Sequence, residues 1–127
     1  MLNLTHHMIK RYATNLALSS ALLAVCCTAF AAPAIPAQFR GIWTPPSECA
    51  AYKQSGATDT GVSVTPTGVQ QYETYCELKK VVRMDASTFA GRFTCNVEGA
   101  TSTETIKLTL ASGQLRYNGA AALSSCR

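Results

Sequence analysis

The sequence predicts an all-β domain, a small antiparallel up-and-down meander that closes into a barrel or a flattened sandwich. Three observations carry that prediction. Residues 69–118 hold runs of alternating apolar and polar residues, the period of a strand with one buried face. Turn signals at Asp85 and Ala86, at Gly99 and Ala100, and at Ser112 and Gly113 separate the runs. Hairpins centred on those turns align apolar residues across four strands in one register, an agreement that a slip of one residue would destroy.

Taken in order, residues 1–31 read as an export signal. Lys10 and Arg11 precede an apolar run over residues 16–27, and Ala29-Phe30-Ala31 is a small-x-small pattern, so cleavage is expected after Ala31. A start at Met8 would give a signal of more ordinary length. The apolar run is short for a bilayer span and leads into Ala-Pro-Ala-Ile-Pro, so no membrane span is expected in the mature protein. Cys26 follows Leu23-Ala24-Val25, and Val25 is too large for the place ahead of a lipidated cysteine, which argues against a lipoprotein.

Residues 32–127 then form a single disulfide-braced β domain, periplasmic or secreted. Both histidines, His6 and His7, leave with the leader, as do two of the six cysteines. Loss of Lys10 and Arg11 leaves nine Lys and Arg against seven Asp and Glu, and the formal charge falls from +4 to +2. That is too mild for a nucleic-acid-binding domain.

Residues 32–38 are an extended, Pro- and Ala-rich lead-in. Residues 39–44 form the first strand, with Phe39 and Trp43 on one face, Gly41 between them, and Pro45 and Pro46 as the stop. Ser47 is expected to cap a short helical turn through Cys49 and Tyr52, and residues 54–60 are a polar surface loop. Val62 and Val64 lead to Pro66-Thr67-Gly68, a three-residue hairpin loop with Gly68 at a place that favours positive φ.

The inward residues beyond that loop are Tyr72, Thr74, Cys76, Leu78, Lys80 and Val82, then Phe89, Gly91, Phe93, Cys95 and Val97, then Ile106, Leu108 and Leu110, and lastly Leu115 and Tyr117. The predicted register sets Leu78 opposite Phe93 and Phe93 opposite Ile106. One layer along, Val82 meets Phe89, Phe89 meets Leu110, and Leu110 meets Leu115. Lys80 is the one inward charge; it faces Gly91, which leaves room for its stem to reach a barrel mouth. Such a narrow barrel is filled by its own side chains. Closure brings the first strand to the C-terminal end and removes exposed sheet edges.

Cys49, Cys76, Cys95 and Cys126 remain after the leader is removed. An even number without a C-x-x-C pair points to two disulfides made in an oxidising compartment, not to a metal site. The register puts Cys76 opposite Cys95 and leaves Cys49 for Cys126. The other pairings stay open, first among them Cys49 to Cys76 with Cys95 to Cys126.

Without histidine in the mature chain, Ser-His-Asp and Cys-His catalysis and histidine-ligated zinc are excluded. No Gly-rich phosphate loop and no acidic calcium loop is present. Glu73, Glu77, Glu98 and Glu104 are spread over the sheet; only Glu73 and Glu98 face one another, and they read as solvated strand residues. The expectation is a protein that is not an enzyme and carries no cofactor or metal.

The outer face carries a more specific pattern. Lys79 is expected opposite Arg92 and Arg92 opposite Lys107, with Arg83 and Arg116 close by. A row of like charges repels by a few tenths of a kcal/mol, so this is the candidate interaction surface for an anionic partner. The alternative is that the long side chains splay into water and guard the sheet.

Gly41-Ile42-Trp43, a G-x-W on the first strand of a meander, resembles the lipocalin and wider calycin pattern. That resemblance implies a lipocalin-like barrel and a carrier of a small apolar ligand. The layout of signal, F-R-G-I-W-T, Cys49, Y-E-T-Y-C, R-F-T-C and a terminal S-S-C-R is similar to that of a group of small exported bacterial proteins, and brings no activity with it. In architecture alone the chain resembles the periplasmic lysozyme inhibitors. The expected function is a non-catalytic binding or interaction module that recognises a protein or an anionic envelope polymer through its sheet face or the 54–60 loop. The alternative is the calycin-like carrier of an apolar ligand.

Overall fold

The turns decide where each strand ends, and with them the number of strands. The structure, a computed structural model, describes residues 29–56 and 59–126. The chain divides into two units, Met1–Phe30 and Ala31–Arg127. Of the first only Ala29 and Phe30 are described, so the expected export signal with Lys10, Arg11 and Cys26, and the alternative start at Met8, lie outside the described residues.

In the second unit eight antiparallel strands succeed one another round a closed barrel. They are β1 (Gly41–Thr44), β2 (Val62–Val64), β3 (Gly68–Gln71), β4 (Thr74–Met84), β5 (Thr88–Val97), β6 (Ala100–Ala111), β7 (Gln114–Tyr117) and β8 (Leu123–Ser125). Each pairs with the next, and β1 closes on β8 through Trp43 with Ser125 and Thr44 with Ser124. No helix among the described residues is long and apolar enough to cross a membrane.

After β1 the prolines start a 3-10 turn, Pro46–Glu48, which leads into α1 (Cys49–Ser55). Ser47 does not cap it. The helical run begins a residue earlier, at Pro46, whose fixed φ suits a first helical position, and Glu48 ahead of α1 makes no side-chain capping bond. Gly56 ends α1 at φ 71°, its N–H donating to the Tyr52 carbonyl at 2.7 Å.

Two turns were not foreseen. Tyr72 and Glu73 separate β3 from β4 although neither is a usual turn residue; Glu73 takes φ 53°. Asn118 and Gly119, at φ 49° and 76°, turn the chain toward β8. The β5–β6 and β6–β7 hairpins use Glu98 with Gly99 and Ser112 with Gly113, both residues at positive φ, the geometry that matches strand twist. Gly68 does not take positive φ. It is glycine because a Cβ there would lie 2.6 Å from the Cys76 carbonyl oxygen.

The register agrees with expectation at Leu78–Phe93, Cys76–Cys95 and Leu110–Leu115. Elsewhere it is corrected. The β5–β6 turn centres on Glu98 and Gly99, so Phe93 faces Glu104, Gly91 faces Ile106, and Phe89 faces Leu108. A shift of two residues leaves every side chain on its expected face. β4 departs further: two bulges, between Leu78 and Lys80 and between Val81 and Arg83, put Lys80 opposite Arg92, Val81 opposite Gly91 and Met84 opposite Phe89. Each bulge adds one residue and reverses the facing of the residues beyond it. Lys80 and Val82 are therefore exposed and Val81 packs on the core. Gly91 makes room for Leu78, whose Cδ1 lies 2.6 Å from where a Cβ would stand, not for Lys80.

Ile35, Phe39, Phe89, Phe93, Ile106, Leu108 and Leu115 are fully buried in the barrel. Each such side chain stabilises by about 1.5–3 kcal/mol. Phe89 packs between Phe39 and Phe93 with ring centroids 6.1 and 6.5 Å away. Trp43 is buried, and its indole N–H donates to the Phe39 carbonyl at 2.9 Å.

The disulfides are Cys49–Cys126 and Cys76–Cys95, with Cα atoms 5.4 and 3.9 Å apart, which removes the other pairings. On the chain-entropy model they stabilise by about 4 and about 3 kcal/mol. Two disulfides in so small a domain mark an oxidising, extracellular environment.

Candidate functional site

The bulges in β4 compose the cationic face. The first makes Lys79 the extra residue and turns Lys80 outward beside Arg92. The second places Arg83 beside Ala90, whose other neighbour is Lys107. Arg92 faces Thr105, which makes Lys107 its diagonal neighbour; Thr109 faces Arg116, which makes Arg116 diagonal to Lys107 in turn. With strands about 4.8 Å apart, these side chains share one outer surface. The expected straight row of Lys79, Arg92 and Lys107 is thus replaced by a zigzag of Lys80, Arg92, Lys107 and Arg116 with Arg83 alongside, and all five are exposed.

Partners divide the set. Lys79 Nζ lies 2.7 Å from Glu77 Oε2, and Arg83 donates through Nε and Nη2 to Asp85 Oδ2 at 3.1 and 3.0 Å. Arg116 Nη1 donates to the Ala120 carbonyl at 3.0 Å. Among the described residues Lys80, Arg92 and Lys107 have no carboxylate partner. Asp85 is committed to the β4–β5 turn, its Oδ1 accepting from the N–H groups of Ser87 at 3.0 Å and Thr88 at 2.8 Å. The Ser87 N–H above all, then Arg83 and the Thr88 N–H, hold its carboxyl below the usual value of 3.8.

A second feature, not foreseen, is a groove of about 320 Å³ between α1 and the outer face of β1, β2 and β3. Ile42, Ser63 and Gln70 lie side by side on that face, and Tyr52, Gln71, Tyr72 and Glu73 complete the lining with Gly56 and Gly61. Gly56 is the part of the expected 54–60 recognition loop that reaches the groove; residues 57 and 58 lie outside the described residues. Among the described residues no lysine or arginine lines it. Gln and Ser on strands this short carry no sequence signal beyond ordinary exposure.

The carboxylates do not assemble. The β4–β5 ladder ends at Thr74 with Val97, so Glu73 and Glu98 are turn residues rather than a facing pair. Glu104 lies near Tyr117; burial first, and then the Glu104 charge, push the Tyr117 hydroxyl up to about 12. No protein-family model, curated protein or solved structure matches this chain.

Proposed function

We propose that the protein is an exported, non-catalytic recognition module whose outer β4–β7 face binds an anionic polymer of the cell envelope. The observation that carries this reading is the group Lys80, Arg92 and Lys107, exposed, adjacent and, among the described residues, without carboxylate partners, on a sheet whose β4 and β5 are joined by Cys76–Cys95. Like charges at this spacing cost a few tenths of a kcal/mol to hold together. An anion that bridges them removes that cost and adds charge-assisted hydrogen bonds, to which the planar guanidinium of Arg92 is suited. Residues 1–31 act in this reading as a Sec-type signal cleaved after Ala31, and the absence of histidine from residues 32–127 supports a non-catalytic role. The filled barrel interior favours an external surface over an internal apolar-ligand carrier.

The test is retention of the disulfide-intact protein on an immobilised phosphate- and carboxylate-bearing polymer. Retention falls with salt, because exposed charges are screened within about 10 Å at 0.1 M ionic strength, and the triple change Lys80→Glu, Arg92→Glu, Lys107→Glu abolishes it. Unchanged retention of the triple variant overturns the reading; capture of an acidic protein in place of the polymer moves the same surface to a protein partner.

The groove supports a second reading, because the side chains of Tyr52, Ser63, Gln70, Gln71 and Tyr72 make no hydrogen bond among the described residues and no cation lines the groove. Two tyrosines with free amides and a hydroxyl suit a neutral, hydroxyl-rich ligand such as an oligosaccharide. NMR titration with neutral oligosaccharides should move the Tyr52, Gln70 and Gln71 resonances; a silent groove removes this reading.

A further inference from the structure

Strand β6 outruns its partner. β7 pairs only with residues 108–111, and Asn118 closes the next position, donating its N–H to the Lys107 carbonyl and accepting the Lys107 N–H at Oδ1, both at 2.8 Å. Residues 100–105 have β5 on one side and, among the described residues, no strand on the other; all are exposed.

The disulfide rung shows which backbone groups are free. Cys76 and Cys95, with Cα atoms 3.9 Å apart, are a non-hydrogen-bonded pair, so Cys95 turns its N–H and C=O toward β6 and makes a hydrogen-bonded pair with Ser102. Alternation gives the backbone groups of Ser102 and Glu104 to β5 and turns those of Thr101, Thr103 and Thr105 outward. Lys107, next in that phase, meets Asn118 as the alternation requires.

The same sheet has another free edge. Beyond Leu78, whose N–H donates to the Thr67 carbonyl, residues 79–84 of β4 have, among the described residues, no strand on the β3 side. That edge carries two bulges and the cations Lys79, Lys80 and Arg83, features that obstruct pairing with another chain. The β6 edge has no bulge, proline, lysine or arginine, and Glu104 is its single charge.

We propose that residues 100–105 of β6 pair antiparallel with the same segment of a second copy, about a two-fold axis at Thr103. This register sets Thr103 against its counterpart and Thr101 against Thr105 of the other copy. Three hydrogen-bonded pairs result, using every free N–H and C=O of the three threonines. Facing threonines are favourable cross-strand neighbours. On the opposite face Ser102, whose hydroxyl donates to Glu104 Oε1 of its own chain at 3.1 Å, lies beside Glu104 of the second copy. The register also brings Lys107, which has no carboxylate partner among the described residues of its own chain, beside the turn that carries Glu98 of the other. A second copy thus supplies both the threonine pattern and the charge complement. The contact is isologous and closes at two, whereas β6 against β4 of the next molecule would propagate without end.

Sedimentation and light scattering of the disulfide-intact protein over a concentration series are expected to show a monomer–dimer equilibrium. The amide protons of Thr101, Thr103 and Thr105 are protected from exchange in the dimer and lose that protection on dilution. Thr103→Lys places like charges face to face across the axis and Thr103→Pro removes a donor from each copy. Each is expected to raise the dissociation constant about tenfold or more, the equivalent of one or two hydrogen bonds. Should Thr103→Pro disturb the fold, Thr103→Lys carries the test, since that side chain is exposed. A monomer at millimolar concentration, an open-ended assembly, or a dimer indifferent to Thr103→Lys overturns the proposal.

Discussion

The two ends of the β4–β5–β6 sheet are built from similar strands and behave as opposites. At one end the β5–β6 ladder is regular from Phe93 with Glu104 to Val97 with Ala100, the disulfide Cys76–Cys95 ties β4 to β5 beside it, and a Glu98–Gly99 turn closes it. At the other, β4 carries two bulges and the turn is held by the Asp85 carboxylate. The regular end leaves a bulge-free edge on β6 with Glu104 as its single charge; the bulged end leaves an irregular, cationic edge on β4. The extra residues Lys79 and Val82 do two things at once: they obstruct the β4 edge, and while the first turns Lys80 onto the face where Arg92 and Lys107 stand, the second restores Arg83 to it. Edge protection and the composition of the cationic face therefore share one cause.

The largest expected effect tests the packing under the bulged end. Phe89→Ala, beneath Met84 and between Phe39 and Phe93, should cost about 3–5 kcal/mol in urea unfolding. A much smaller loss would mean that the bulged end does not rest on the core. Next, Cys76→Ala with Cys95→Ala should cost about 3 kcal/mol and speed amide exchange at residues 100–105 more than at residues 79–91. Equal acceleration at both ends would erase the distinction between them.

Gly91→Ala should cost about 1–3 kcal/mol, since its Cβ would meet Leu78 Cδ1 at 2.6 Å and the Lys80 carbonyl at 3.1 Å between the two bulges. A neutral result would show that the bulges lie elsewhere.

The smallest effects are pH-dependent and separate the ends by direction. Asp85 is held below 3.8 in the folded state, so its contribution is present above that value and is lost as pH falls through the lowered one. Asp85→Asn should flatten the acid limb of thermal stability and loosen the bulged end. Tyr117, beside the β6 overhang, is raised from 10.0 to about 12, so its neutral form is favoured by folding. That contribution is complete below pH 10 and is lost as pH rises from 10 toward 12. Tyr117→Phe should flatten the alkaline limb and leave the acid limb unchanged.

Much of the barrel was legible in the chain. Alternation over β4 to β7, Pro45 and Pro46 after β1, and the Gly99 and Gly113 turns are local signals. They located the strands, and Cys76 falls opposite Cys95 as expected because the two bulge residues offset the two-residue displacement of the β4–β5 turn. The Tyr72 and Glu73 turn and β8 were not legible, because neither has the residues that mark a turn or an alternating strand. The cationic surface was half legible: Arg83, Arg92, Lys107 and Arg116 do share a face, while Lys79 and Lys80 exchange roles. The groove under α1 draws its lining from segments far apart in the chain and left no trace in any one of them.

By itself the sequence determined the period of the strands, the inventory of charges and cysteines, and therefore an all-β domain braced by disulfides in an oxidising environment. These depend on residue type and near neighbours alone. Only the tertiary structure decided the bulges in β4, the two-residue offset of β6 and the lengths by which strands outrun their partners. Those arise from closing a barrel of fixed circumference on Phe39, Phe89 and Phe93, where each strand must shift until its ladder and its packing are satisfied together. That compromise turned Lys80 outward to join Arg92 and left Thr101, Thr103 and Thr105, among the described residues, with no strand to pair their outward backbone groups.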